Sequence, residues 1–93
     1  MRNIMRESTI EKAINKYAKS KGWLAYKFTS PSNRGVPDAL YIKGGLTIYC
    51  EFKAPGKQAT KLQSEVIKRF RGNGAVVYIV DDIEKGKGIF DAY

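Results

Sequence analysis

A predicted β-hairpin in the middle of the chain, residues 38–54, constrains the fold more than any other stretch. Its sequence is DALYIKGGLTIYCEFKA, in which two largely apolar runs flank Gly44 and Gly45. Adjacent glycines supply the positive backbone angles of a tight turn, so the two runs are predicted to pair as antiparallel strands. Side chains alternate between the two faces of a strand. The second run therefore has one face of Leu46, Ile48, Cys50 and Phe52 and another of Thr47, Tyr49, Glu51 and Lys53.

Helical and strand patterns surround the hairpin. Apolar residues recur at helical spacing in residues 8–22 and again in residues 60–74, which predicts two amphipathic helices. Residues 23–30 alternate like a strand, and the apolar run AVVYIV at residues 75–80 is typical of a buried central strand. The tail, residues 83–93, is compatible with a short helix or an edge strand. The side chains of the second helix expected to face inward are Leu62, Val66, Ile67 and Phe70.

The order α-β-β-β-α-β predicts an α/β fold. The helix between the third and fourth strands makes a β-α-β connection, which places those two strands parallel in one sheet. Because the hairpin beside them is antiparallel, the economical arrangement is a mixed sheet flanked by helices. A chain of 93 residues is the size of one compact domain, and we expect residues 1–93 to form one.

The charge of the chain favours a polyanionic partner. Lysine and arginine number 17 against 9 aspartates and glutamates, which gives a formal net charge of +8. Such an excess is typical of small nucleic-acid binders. An anionic membrane is the second candidate partner, and solubility alone is the simplest explanation of the charge.

Residue types that are scarce or missing narrow the chemistry further. The chain has no histidine, which excludes Ser-His and Cys-His triads and the HExxH zinc site. Its single cysteine, Cys50, cannot form an intrachain disulfide, which favours a reducing compartment. No segment has the apolar length of a signal-peptide core or a transmembrane helix. We therefore expect a soluble, cytoplasmic protein of a bacterial cell or a virus-infected host cell, and of the two polyanionic candidates we favour nucleic acid and expect no membrane partner.

Two acidic residues of the hairpin form a candidate site. The turn at Gly44 and Gly45 places Asp38 opposite Glu51, to within about one residue of register, and cross-strand Cβ atoms lie roughly 4.5–5.5 Å apart. Two carboxylates at that distance repel each other unless a cation lies between them, and Mg²⁺ prefers oxygen ligands. Lys53 projects to the same face as Glu51. The alternative is that Asp38 is a turn residue and that Glu51 and Lys53 form a solvated ion pair of little energetic value.

These residues resemble the motif of the PD-(D/E)xK nuclease superfamily. Pro37 and Asp38 precede the triplet Glu51-Phe52-Lys53, and the longer pattern RGVPD at residues 34–38 resembles the VRR-NUC branch, the virus-type replication-repair nucleases. The resemblance covers most of the chain. It implies a restriction-endonuclease-like core and metal-dependent hydrolysis of DNA phosphodiester bonds.

The resemblance also implies a role for each residue. Asp38 and Glu51 correspond to direct metal ligands, with the Phe52 carbonyl as a third, and Lys53 to the residue that positions or activates the attacking water. Glu11, on the first helix, corresponds to a residue that reaches the metal directly or through water. Gln63 corresponds to one that organises the site from the second helix. The metal implied is Mg²⁺, with Mn²⁺ able to substitute for it.

Helix capping offers a competing role for two of these residues. Ser8-x-x-Glu11 and Thr60-x-x-Gln63 both match the capping-box pattern, in which the glutamate or glutamine satisfies a backbone N–H at the start of a helix. The spacing alone does not separate the two roles for Glu11 or for Gln63.

The remaining expectations concern partners. The side chains on or near loops beside the candidate site that could contact DNA phosphates are Lys27, Ser30, Ser32, Arg34, Lys57 and Lys61. The expected substrate is DNA, including branched DNA such as a Holliday junction. Size and resemblance together suggest a homodimer. A non-catalytic nucleic-acid binder on the same fold is the main alternative, and a basic module that binds a protein partner is a third.

Overall fold

The computed structural model describes residues 5–93 and contains three helices and four strands. They are, in chain order, α1 (Glu7–Ser20), β1 (Leu24–Lys27), β2 (Ala39–Lys43), β3 (Leu46–Phe52), α2 (Lys61–Gly72), β4 (Val76–Val80) and α3 (Ile83–Asp91). The predicted order is confirmed, and the tail adds α3 to it. None of the helices in this part of the chain is both long and apolar enough to cross a membrane.

The four strands form one mixed sheet in the order β1-β2-β3-β4. β2 is antiparallel to β1 and to β3, whereas β3 and β4 are parallel, as the β-α-β connection through α2 predicts. Gly44 and Gly45 form the tight turn between β2 and β3, with φ angles of 56° and 82°. Ala39 lies opposite Cys50 in the resulting register. The hairpin prediction is therefore confirmed.

α1 and α3 cover one face of the sheet and form the main core with it. Ile14 of α1 is fully buried there, against the face that carries Ile48 and Cys50. Gly86 of α3 allows the close approach of the two helices, because a Cβ atom at this position would lie 2.5 Å from the Ile14 Cδ1 atom. Cys50 has no exposed surface, and burial raises the pKa of its thiol to about 12, as fits a small buried hydrophobic residue.

α2 covers the opposite face. Its Phe70 ring packs edge-on against Tyr49 of β3, with the ring centroids 5.3 Å apart, and Phe28 lies against the same tyrosine at 5.7 Å. Ile67 is buried as predicted. The prediction for Leu62 was wrong, because this side chain lies in the first turn of α2, beyond the edge of the aromatic cluster, and is 47% exposed.

The two predicted capping boxes have different outcomes. α1 begins at Glu7 with Arg6 as its N-cap and no side-chain cap, so the prediction that Ser8 caps this helix was wrong. Because Ser8 already lies inside the first turn, its hydroxyl is past the capping position. The box at α2 is present in full: the Thr60 hydroxyl accepts from the Gln63 N–H, and the Gln63 side chain accepts from the Thr60 N–H.

Candidate active site

Asp38 and Glu51 lie next to each other at one end of the hairpin. Since Ala39 is opposite Cys50, extending the register by one residue pairs Asp38 with Glu51 on the face that α2 covers. Two backbone contacts fix Asp38: its Oδ2 atom accepts a hydrogen bond from the Phe52 N–H at 2.9 Å, and its carbonyl accepts one from the Phe28 N–H at 2.8 Å. The Asp38 carboxylate is thus held by the backbone just after Glu51.

Glu51 is buried and only partly satisfied. Its side chain is 1% exposed, and its Oε2 atom accepts a hydrogen bond from Gln63 Nε2 at 2.8 Å and lies 3.5 Å from Lys53 Nζ. Its Oε1 atom is also buried and has no hydrogen-bond partner among residues 5–93. Burial, followed by the nearby charge of Asp38, raises the pKa of Glu51 to about 7, although Lys53 acts to lower it.

Lys53 is buried as well, with an exposure of 8%. Its backbone N–H donates to the Val80 carbonyl at 2.9 Å, which continues the parallel pairing of β3 and β4 one residue past the end of β3. The ammonium group is therefore held beside Glu51 by ordered backbone. A solvated strand face is the wrong description of Glu51 and Lys53, because neither side chain is exposed.

Gln63 makes the hydrogen bonds of a helix cap and also contacts the acidic pair, the two possibilities that the spacing left open. Its Oε1 atom accepts from the Thr60 N–H at 3.0 Å and closes the capping box, while its Nε2 atom donates to Glu51 at 2.8 Å. The polar end of one side chain thus joins the first turn of α2 to the acidic pair. The N-terminus of α2 is consequently fixed at the site by a hydrogen bond as well as by packing.

The two glutamates of α1 differ in their surroundings. Glu11 forms an ion pair with Lys27, whose Nζ atom lies 3.3 Å from Glu11 Oε2. Glu7, one helical turn earlier, contributes a negative charge that acts to raise the pKa of Glu51. Sequence reasoning missed Glu7. Its position four residues before Glu11 could have indicated it, since residues at that spacing share one face of a helix.

The predicted DNA contacts fall into separate groups. Ser30, Ser32 and Arg34 line a groove between the β1–β2 loop and α2. Lys27 lies apart from them in its pair with Glu11. The other two, Lys57 in the loop before α2 and Lys61 at its first position, are exposed. The groove also contains Arg69, which sequence reasoning missed.

The donor set fits a hard divalent cation. The available side-chain ligands are oxygen atoms, and the buried unpartnered Oε1 atom of Glu51 is an acceptor that a cation would satisfy. In residues 5–93 no three acidic or cysteine side chains converge closely enough to form a metal site by themselves. Two carboxylates are compatible with Mg²⁺, which usually keeps several water ligands and is held by one or two carboxylates.

Two comparisons connect this geometry with known proteins. The chain is 39% identical over 79 residues to a protein of Acyrthosiphon pisum secondary endosymbiont phage 1 described as "Putative nuclease p44", across 84% of this chain and 85% of that protein. It matches a solved structure described as "VRR_NUC domain" with a TM-score of 0.85 and 24% identity, across 94% of this chain and 96% of the other. No family model matches the chain. The predicted restriction-endonuclease-like fold is confirmed.

Proposed function

Because the chain belongs to the VRR-NUC nuclease family, we propose that it is a Mg²⁺-dependent endonuclease that hydrolyses DNA phosphodiester bonds. One observation carries the proposal: a fully buried glutamate, Glu51, has one carboxylate oxygen with no hydrogen-bond partner among the described residues, beside a second carboxylate and a buried lysine.

The Oε1 atom of Glu51, unpartnered within residues 5–93, makes the metal-free site energetically unfavourable. A buried acceptor without a partner costs about 1–3 kcal/mol, and more when it is charged. A cation shared with Asp38 offsets that cost and the repulsion between the two carboxylates. Asp38 and Glu51 would hold the ion, with the Phe52 carbonyl as the third protein ligand that the family pattern implies. When bound, Mg²⁺ increases the acidity of a coordinated water and stabilises negative charge on the phosphate.

The other residues position these groups. Lys53, whose Nζ atom lies 3.5 Å from Glu51, can hold the attacking water by a hydrogen bond and stabilise the charge that develops on a phosphate oxygen. Gln63 fixes the orientation of the Glu51 carboxylate, and the Phe52 N–H fixes that of Asp38. Because each of these supports comes from a helix or a strand end, the site is preorganised.

The substrate preference follows from charge and size. A net charge of +8 attracts the DNA backbone whatever its sequence. A domain of 93 residues has little surface left to contact base edges in addition to phosphates. We therefore propose selection of DNA by structure, including flaps and four-way junctions.

The decisive experiment is metal-dependent cleavage of a duplex, a flap and a four-way junction. We expect cleavage with Mg²⁺ or Mn²⁺, and its loss in D38N and in K53M. E65Q, which neutralises an exposed residue of α2, is the matched control and should cleave normally. DNA binding in EDTA should survive in D38N. A protein that binds all three DNAs but leaves them uncut with either ion would be a non-catalytic binder.

A homodimer is the second part of the proposal. A dimer acting on a four-way junction should introduce paired symmetric nicks, whereas a monomer should cut one strand at a time. Light scattering of the protein with and without junction DNA, combined with cleavage mapping, distinguishes the two. A monomeric mass together with unpaired cuts would refute the resolvase-like activity and leave a flap or repair nuclease.

A further inference from the structure

A groove beside α2 contains aromatic and cationic side chains that have no role in the proposed hydrolysis at the acidic pair. It lies between the loop that follows β1 and α2, and its volume is about 500 Å³. That volume lies within the range of sites that bury a small organic ligand, about 300–1,000 Å³. Phe28 and Phe70 line it with half-buried rings whose centroids are 6.4 Å apart.

The groove also carries unneutralised positive charge. Arg34 enters from the loop and Arg69 from α2, and both are exposed. Neither forms an ion pair with another residue in the described part of the chain, although four such pairs occur elsewhere in it. Ser30 and Ser32 add hydroxyl groups. Aromatic surface with guanidinium groups beside it is the combination that proteins use to bind a nucleobase together with its phosphate.

Gly35, in the RGVPD pattern, allows the loop on one side of the groove to pack closely against α2. Gly35 has a φ angle of 84°, and a Cβ atom there would lie 3.0 Å from Val66 Cγ2 and 3.2 Å from Leu62 Cγ. The loop therefore follows the surface of α2 closely, in a backbone conformation that glycine adopts readily. The shape of the groove is consequently a property of the folded chain before any ligand binds.

We propose that this groove binds an unpaired nucleotide of the DNA substrate, with the base against Phe28 and Phe70 and a phosphate on Arg34 and Arg69. The inference rests on the proposed nuclease function and extends it to the substrate class. The bases of duplex DNA are stacked inside the helix, where the aromatic rings of the groove cannot contact them. An unpaired nucleotide at a flap, a gap or a strand end exposes its base and fits.

Two segments of the chain connect the lining of the groove with the acidic pair. Leu62 lines the groove, and the next residue of α2, Gln63, donates to Glu51. On the other side, Phe28 lines the groove, and its backbone N–H donates to the carbonyl of Asp38. Residues that line the groove are thus linked to the acidic pair by one peptide bond in α2 and by one backbone hydrogen bond at Asp38.

A second copy of this chain is a less suitable occupant. Each copy has a net charge of +8, and a second surface of the same charge would meet Arg34 and Arg69 with repulsion. A DNA strand brings the opposite charge to the same groups.

Binding in EDTA tests the inference independently of cleavage. The probes are a blunt 20-base-pair duplex and the same duplex with a five-thymine single-stranded extension, followed by fluorescence anisotropy. The wild-type protein should bind the extended DNA about tenfold more tightly, as stacking of one base on an aromatic side chain predicts. F70L should bring the ratio close to one and leave the affinity for the blunt duplex unchanged.

If F70L does not fold, variants of the exposed residues Arg34 and Arg69 test the inference instead. R34Q and R69Q should each reduce the salt dependence of binding to the extended DNA by about one phosphate contact. K68Q, an exposed lysine of α2 outside the groove, is the matched control and should keep the tenfold preference. A bromouracil in the extension should photocrosslink to Phe28 or Phe70, as located by mass spectrometry.

The outcomes separate the inference from the proposed function. Equal affinity for the two DNAs, or crosslinks only outside the groove, would overturn the inference even if Mg²⁺-dependent cleavage is normal. Conversely, a preference for the extended DNA in a protein that cleaves none of the DNAs would overturn only the proposed nuclease function. A change from dimeric to monomeric mass in F70L would show that a second copy occupies the groove, which also overturns the inference.

Discussion

Replacement of Glu51 by glutamine should change how the stability of the metal-free protein depends on pH. The wild-type side chain is buried, and burial together with the charge of Asp38 raises its pKa to about 7 from an ordinary 4.5. The folded chain therefore keeps this proton at pH values where the unfolded chain has already lost it. Stability should decrease as the pH rises from about 4.5 to about 7, and then level off.

The size of the effect follows from the two pKa values. A difference between 4.5 and about 7 corresponds to about 3 kcal/mol, because each unit is worth about 1.4 kcal/mol. The wild-type protein should lose that amount between pH 4 and pH 8 in excess of the loss shown by E51Q, which has no proton to release at this position.

Urea denaturation in EDTA at several pH values measures the difference. Comparing the pH dependence of the two proteins, and not their absolute stabilities, cancels the constant effects of the amide substitution. E65Q controls for the loss of one negative charge, because Glu65 is exposed on α2, and it should follow the wild-type curve. Equal pH dependence of the wild-type protein and E51Q would refute the argument that Glu51 is held in a proton-retaining environment.

The same measurement tests the metal site. At pH 8 the ionised Glu51 is available to a cation, and Mg²⁺ at a hundred times its dissociation constant should stabilise the wild-type protein by about 2.7 kcal/mol. E51Q and D38N should gain much less. If added Mg²⁺ stabilises E51Q as much as it does the wild-type protein, the cation binds elsewhere.

Three further predictions concern single positions. E7Q should lower the pKa of Glu51, because the charge of Glu7 acts to raise it, whereas E11Q should change that pKa less. NMR titration of the Glu51 carboxyl group in the two variants measures the difference. Equal shifts would contradict the conclusion that Glu7, and not Glu11, acts on Glu51. G35A should destabilise the protein by about 1–3 kcal/mol more than G44A in urea denaturation, because both have positive φ but only Gly35 packs against α2; equal losses would contradict a packing role. Cys50, whose pKa burial raises to about 12, should react with iodoacetamide only after unfolding, and rapid native labelling would show that it is accessible.

The sheet could be predicted from the sequence because its signals are local. The glycine pair and the alternation around it determine the turn, the register and the face on which each side chain lies. The proximity of Asp38, Glu51 and Lys53 could therefore be predicted from the sequence alone. The helix between β3 and β4 then leaves one common arrangement for those strands, which is parallel. These features depend on residues that are close together in the sequence.

The parts that could not be predicted depend on where separate segments meet. The N-cap of α1 is Arg6, two residues before the predicted Ser8, so Ser8 lies inside the helix, and Glu11 pairs with Lys27. Arg69 of α2 and Arg34 of the β1–β2 loop line the same groove because the loop packs against α2 near Arg69. No local pattern encodes that contact.

The hydrogen bonds of Gln63 restrict what evolution can place at this position. Capping boxes generally accept either glutamate or glutamine at the N3 position, three residues after the N-cap. Here a glutamate would add a third carboxylate beside Asp38 and Glu51, at the 2.8 Å contact that Gln63 Nε2 makes with Glu51, and a flipped amide would oppose donor to donor at the Thr60 N–H. The range of residues at position 63 among related proteins should therefore be narrower than helix formation requires. A natural homologue with glutamate there would be a candidate for a member that has retained the architecture after losing its catalytic use.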